Sequence, residues 1–405
     1  MVRTAELIRS FRASPGQTIE DLREALDRGL RGEPGGLRPH DFSLRDMAAA
    51  GIMVGGEPIG LGRLVEACSG QAILEDALDT TAFATLTRNV VNVAVLEGYQ
   101  LPAFVLSAAV RQINGPKLFP RVPGVSLPQK GDRDLEVAEA EEIPTVGMSD
   151  EYARAGQTVK HGAIVPITKE VVMADDTGLV LESASRVGEL IGMERETTLT
   201  DIVCGLVDDC VIERRYGDAT EVTGNLFQDG DSESLGDRYT NVAELDLEDW
   251  TSVGAAEQLI AAITNPSTEG PMLLTRRFLL TPTQMAFTAR RIISATETRS
   301  AGTANTVIAG NPLSALGVTP ITSPMVYARM VAAGVNADVA AGTWFYGDLY
   351  RACAWYQNWG LTVDEDRDGE ASFTRDILVR FKATVRGVPV VTEPRAWARL
   401  SPSGG

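Results

Sequence analysis

The chain has 405 residues, 44% of them hydrophobic, and a formal net charge of −18, so it is long enough for two or three cored domains. Its acidity excludes a conventional nucleic-acid binder, which needs clustered Lys and Arg for phosphate contacts. No apolar run reaches the ~18 residues of a spanning helix, and the start, MVRTAELIRSFRASPG, lacks the apolar stretch of a secretion signal, so folding in a cytoplasm is expected.

In chain order, TIEDLREALDRGL (18–30) sets Ile19, Leu22, Ala25, Leu26 and Leu30 along one side behind Thr18, which predicts an amphipathic helix. The Gly/Pro break RGEPGGLRPH (31–40) separates it from a second short helix, SLRDMAAAG. The GxG in GIMVGGEPIGLG (51–62) follows no buried strand and is not a dinucleotide fingerprint. Residues 80–113 read as helical, interrupted near Gly98 to Pro102. From Asn114 to Thr168 the chain holds six prolines, and LEVAEAEE and TVKHGAIVPIT suggest long hairpin arms. With acids dominating from Asp132 to Asp150, this segment has too little apolar content for a core of its own, and is either disordered or ordered by lying on something else.

Asp175, Asp176 and Thr177 are N-cap candidates for a long helix over 179–207, with Val180, Ala184, Val187 and Ile191 as its apolar stripe. Gly188 and Gly192 lie inside that helix, each costing about 1 kcal/mol relative to Ala, and imply either close packing or a hinge. Residues 208–245 are acidic and turn-rich. Then come a helix (247–264), a strand (273–282), a helix (283–294) and a strand (317–326), an α/β alternation. GTWFYGDLYRACAWYQNWGLTV (342–363) gathers Trp344, Phe345, Tyr346, Tyr350, Trp355, Tyr356 and Trp359, the mark of a core or a subunit contact. FTRDILVRFKATVRG (373–387) alternates Ile377, Val379, Phe381, Ala383 and Val385 against Asp376, Arg380, Lys382, Thr384 and Arg386, with Leu378 out of phase. At about 3.3 Å per residue it would span roughly 50 Å, against the ~5–6 residues of ordinary strands. VTEPRAWARL closes the chain as a short element.

Motifs that invite chemistry are weak. DEDRDG (364–369) has the early carboxylates and glycine of a calcium loop, but Arg375 stands where a bidentate Glu belongs, and a hairpin turn explains it as well. The adjacent Asp175 and Asp176 diverge before a helix and suit capping rather than acid–base work. GDSES (230–234) lacks a nucleophile elbow. His161, in TVKHGAIV, has no second His or Cys beside it, and Cys68, Cys204, Cys210 and Cys353 lack zinc or disulfide spacing.

Three pieces, GAIVPITKEVVMADD entering a helix, FLLTPTQMAFTARRIIS, and FYGDLYRA with the basic strand and the PRAW element, together resemble tailed-phage major capsid proteins of the Hong Kong 97 type. The similarity runs over about 75–400 and is greatest to Mu-like head subunits. It implies an α+β fold: an N-terminal extension (1–75), an N-terminal arm (76–128), an extended hairpin loop (129–167), a peripheral domain with a spine helix and a long strand (168–244 and 366–405), and an axial domain (245–365). The first 75 residues are unlike the charged scaffolding segment of some members. The function implied is an icosahedral shell around double-stranded DNA, found in the virion and assembled in the host cytoplasm. Its partners would be further copies in hexamers and pentamers, with scaffold, portal and decoration proteins, and DNA only as non-specific contents. No enzyme activity, cofactor, metal or membrane is expected. The hairpin would lie over a neighbouring subunit. Candidate interface residues are Lys160, His161, Trp344, Tyr346, Arg380, Lys382 and Arg386; Gly188 and Gly192 are candidate spine-helix hinges. Lys130 and Lys160 are the hairpin lysines that a family-type crosslink would need. An encapsulin-like compartment and a soluble α/β enzyme are the alternatives.

Overall fold

The computed structural model describes residues 91–123, 151–168, 177–207, 210–214, 221–224, 226–230, 239–264, 271–301, 306–366 and 377–402. Helical residues 91–99 (α1) stop short of Pro102, which has no N–H to continue the ladder, and Val105–Ala109 (α2) resumes beyond it. Strands β1 (Arg111–Asn114), β2 (Arg121–Pro123), β3 (Glu151–Arg154) and β4 (Val159–Thr168) precede the long helix α3, Thr177–Val203. Short strands β5 (Cys210–Arg214), β6 (Glu221–Gly224) and β7 (Val242–Glu244) follow. Helix α4 (Trp250–Ala261) starts where Asp249 accepts the Thr251 N–H at 2.8 Å. Strand β8 (Arg277–Thr281) leads through a 3-10 turn into α5 (Ala286–Ser294), the β9 (Glu297–Ala301) and β10 (Thr306–Gly310) hairpin, and α6 (Leu313–Leu316). Strand β11 (Val318–Thr322) gives way to α7 (Pro324–Ala332), capped by Ser323 with proline first, and α8 (Ala337–Gly342). The chain ends with β12 (Trp344–Gly347), α9 (Leu349–Ala352), β13 (Cys353–Asp366), β14 (Ile377–Val391) and β15 (Trp397–Ser401).

The described residues fall into two compact units: one holds the chain up to Leu101, Lys160–Glu194 and Gly360–Val385, the other Pro102–Val159, Arg195–Trp359 and the chain from Arg386. The second is built on a five-stranded sheet of order β11-β8-β12-β15-β7. Strands β8 and β11 are parallel, joined by a crossover that begins with α5, while β12 runs antiparallel to β8 and to β15. Trp344, Phe345 and Tyr346 of β12 and Trp397 of β15 are fully buried there, and Phe345 stacks on Trp397 with ring centroids 6.2 Å apart. Each such side chain contributes on the order of 1.5–3 kcal/mol by leaving water. Gly347 has φ 139°, and a Cβ on it would stand 2.2 Å from the Ala396 carbonyl oxygen, so only glycine fits this strand end.

In the first unit, α1 crosses α3 backbone to backbone. A Cβ on Gly188 would meet the Val95 carbonyl oxygen at 1.9 Å, and one on Gly98 would meet that of Ser185 at 2.0 Å. Strands β13, from Gly360, and β14, up to Val385, lie side by side there. On them Thr362 faces Thr384, Asp364 faces Lys382 and Asp366 faces Arg380, two residues apart on each strand, which is antiparallel register.

Several expectations are corrected. The long strand runs to Val391, not 387; residues 373–376 lie outside those described. Gly387 does not end it, because the Trp355 indole lies against that backbone, 2.6 Å from where a Cβ would sit. Residues Arg111–Asn114 are not helical but pair in parallel with β13. FYGDLYRA is a strand followed by a one-turn helix, broken at Asp348, which caps α9. The strand expected over 317–326 stops at Thr322 because Ser323 and Pro324 start a helix. Within the expected 129–167 hairpin, residues 129–150 lie outside those described, and the remainder divides between sheets: β3 pairs with β2 and β5, whereas β4 adjoins β14. Ala153, Ala155, Val165 and Ile167 are buried within the chain, so this part is ordered by its own apolar side chains. The carboxyl-terminal stretch from Arg386, expected with 168–244, groups with residues 195–244 of that span and also with 245–359, β15 being an interior strand of the five-stranded sheet, while residues 168–194 fall in the other unit.

Candidate functional site

Buried polar side chains hold the second unit together. The carboxylate of Glu196, fully buried on α3, accepts the main-chain N–H groups of Leu106 (2.7 Å) and Ser107 (2.9 Å) and the Ser107 hydroxyl (2.7 Å), capping α2 from 90 residues away. Asp348 accepts from Thr275 and Arg276, both at 3.0 Å, and from Arg351 at 3.2 Å, fastening the turn before β8 to the start of α9. The Asn241 amide donates toward the Leu226, Pro394 and Trp397 carbonyls at 2.9, 3.1 and 2.8 Å, and its oxygen accepts the Gln228 N–H at 2.7 Å. Tyr346 donates to Glu257 at 2.5 Å, and Arg277 forks onto the same carboxylate at 2.8 to 3.2 Å. Burial first, then the Glu257 hydrogen bond, pushes the Tyr346 phenol well above its usual range, and Glu257 raises Arg277. Burial likewise pushes the Cys204 thiol up, so it stays neutral. Each of these groups faces a protein partner or a packed wall, which is how a rigid scaffold is built.

The seven candidate interface residues are not brought together. Trp344 and Tyr346 are corrected outright: both are 0% exposed in their own core and cannot meet a second chain. Arg380 pairs with Asp366, and Lys382 with Asp364 at 3.2 Å, so the basic face of β14 has carboxylate partners on the adjacent strand of its own chain. Arg386 donates to the Thr158 hydroxyl at 3.0 Å and lies over the Trp359 ring at 5.7 Å. Lys160 is exposed on β4 and His161 half-buried. Gly188 is accounted for by its crossing with α1, Gly192 is buried within an uninterrupted α3, and Asp175, Asp176 and Lys130 lie outside the described residues. Asp364 and Asp366, the first and third positions of the suspected calcium loop, sit in β13 facing cations. Among the described residues no cluster of three His, Cys, Asp or Glu could hold a metal, and no helix is long and apolar enough to cross a membrane.

Sequence reasoning missed Glu196, Asp348 and Asn241. Only Glu196 carries a sign: it stands in register with Gly192, Leu199 and Val203 on α3, a charge on an otherwise buried stripe.

The phage capsid protein family matches the chain over residues 151–400. With well over half of its length matched, the chain belongs to the phage capsid protein family. No curated protein matches the sequence. Among solved structures, the capsid of a native GTA particle is 14% identical, with a TM-score of 0.43 over 75% of this chain and 91% of that one. Mycobacterium phage Bobi gives 15% identity and 0.42 over 74% and 91%, and the capsid of cyanophage P-SCSP1u gives 9% and 0.42 over 73% and 86%. At such TM-scores these likenesses carry no argument; the assignment rests on the family match. The resemblance to Mu-like subunits stands on the sequence alone.

Proposed function

We propose that this chain is the major shell subunit of a tailed-phage head of the Hong Kong 97 type, self-assembling into an icosahedral container for double-stranded DNA. The family match over residues 151–400 carries the reading. A 27-residue helix and strands of 14 and 15 residues support it, being far longer than one small core requires. The protein acts as a structural element of the virion, with copies of itself as main partner and scaffold, portal and decoration proteins as further ones. The five-stranded sheet and its helices serve as the axial part, and α3 with the long strands as the peripheral part. Exposed Lys160 and half-buried His161 on β4 belong to subunit contacts. Size-exclusion chromatography with light scattering and electron microscopy of the purified chain tests this. Hollow megadalton particles are expected; a stable monomer or small oligomer overturns it, and particles that enclose a cargo protein through a bound peptide turn it into an enzyme compartment.

A further inference from the structure

The five-stranded sheet is electrically polar from edge to edge. At the β11 edge, α5 packs on β11 and β8 with Ala289 and Ile292 turned inward. Its outer face, at helical spacing, is Phe287, Arg290, Arg291 and Ser294. Phe287 is 85% exposed, a large aromatic left in water one helical turn before two arginines, Arg290 and Arg291. At the opposite edge, the chain leaving β7 stays extended, held by the Leu245 N–H on the Ser401 carbonyl at 2.7 Å. There Glu244, Asp246 and Glu248 are exposed at every second position, while Leu247 between them is buried. Four inter-strand steps separate the edges by about 19 Å, more than the ~8 Å screening length at physiological salt, so neither patch neutralises the other within one chain.

We propose that α5 of one copy, through Phe287, Arg290 and Arg291, docks on the Glu244, Asp246 and Glu248 edge of the next copy. This rests on the shell reading above. Opposite patches on opposite edges make a head-to-tail contact, which closes into a ring when the rotation allows, whereas a two-fold contact through α5 would set Arg against Arg. The occupant is a second copy because a chain with 55 acidic and 37 basic residues offers the carboxylates this face requires. Phe287 supplies the apolar anchor and the charges set orientation.

The test is charge reversal with rescue in the full chain. One variant carries Arg290→Glu and Arg291→Glu, a second carries Glu244→Lys, Asp246→Lys and Glu248→Lys, and a third carries both sets; circular dichroism melts establish that each folds. The expected result is loss of the particle peak in the first and second variants and its return in the third, where every contact re-forms with its polarity exchanged. Single-set variants that assemble like the parent, or a third variant as unassembled as the other two, overturn the proposal. Loss with the arginine set alone overturns it too and points to an acidic partner other than this chain. A parent protein that forms no particle overturns the shell reading instead.

Discussion

Glu196 shows what one side chain carries in this protein. Its carboxylate is buried with three donors, two of them main-chain N–H groups that have no intrahelical acceptor at the start of α2. Removing it strands those donors away from water, and a hydrogen bond to a charged group is worth about 1.5–3 kcal/mol. Glu196→Ala should therefore lower unfolding stability by about 3 kcal/mol, read from urea unfolding of the dissociated subunit, with Glu196→Gln costing less because it keeps one acceptor. A loss under about 1 kcal/mol, the scale of a surface contact, would show that the cap is not holding α2. Tyr346 gives a pH prediction. Its phenol titrates near pH 10 when unfolded and higher when folded. The stability due to this neutral, buried hydroxyl is thus complete below about pH 10 and is lost as pH rises toward the folded value. The stability gap between the parent and Tyr346→Phe should narrow above pH 10; a gap constant to pH 11 would contradict the assignment.

At the scale of elements, the α1 and α3 crossing decides what Gly188 is for. Two glycines, each facing the other helix's backbone, allow an approach that any Cβ would block, and the blocking atoms are carbonyl oxygens that cannot swing aside. Gly98→Ala and Gly188→Ala should each cost at least the ~1–3 kcal/mol typical of overpacking, measured by thermal melting, although Ala is the better helix former. If Gly188→Ala instead raised the melting temperature, the crossing would be looser than described and a hinge would regain its case. The sequence made α3 legible because its stripe of Val180, Ala184 and Ile191 is long enough to register a 3.6-residue period. It made β14 legible through the alternation of Phe381, Ala383 and Val385, but not its end, since Gly387 signals a break unless Trp355 is known to lie on it. The aromatic cluster was readable as apolar, yet burial inside a sheet and burial against another chain look alike in sequence, and this is why Trp344 and Tyr346 were misplaced. The ion pairs of β13 and β14 were hidden for a different reason: cross-strand partners depend on register, which alternation alone does not fix. Lys382 and Asp364 are both about half exposed, so their coupling in a double-mutant cycle should be small, about 0.5 kcal/mol.

For the whole molecule the governing quantity is a net charge of −18 on every copy. Packing many such chains side by side raises a mutual repulsion that acts over the screening length, about 30 Å at 0.01 M salt and about 10 Å at 0.1 M. Contacts such as the proposed α5 to β7 edge pairing act at hydrogen-bonding distance, well inside the screening length across that range, and lose little of their strength. Apolar burial, here the seating of Phe287, does not depend on ionic strength in this range. Added salt therefore weakens the repulsive part of assembly faster than the attractive part. Light scattering of the purified chain should show the assembled fraction rising as salt goes from about 0.01 to 0.1 M. A fraction that falls steadily over that interval in the parent would mean that long-range attraction between oppositely charged faces, rather than relief of like-charge repulsion, governs how these subunits come together.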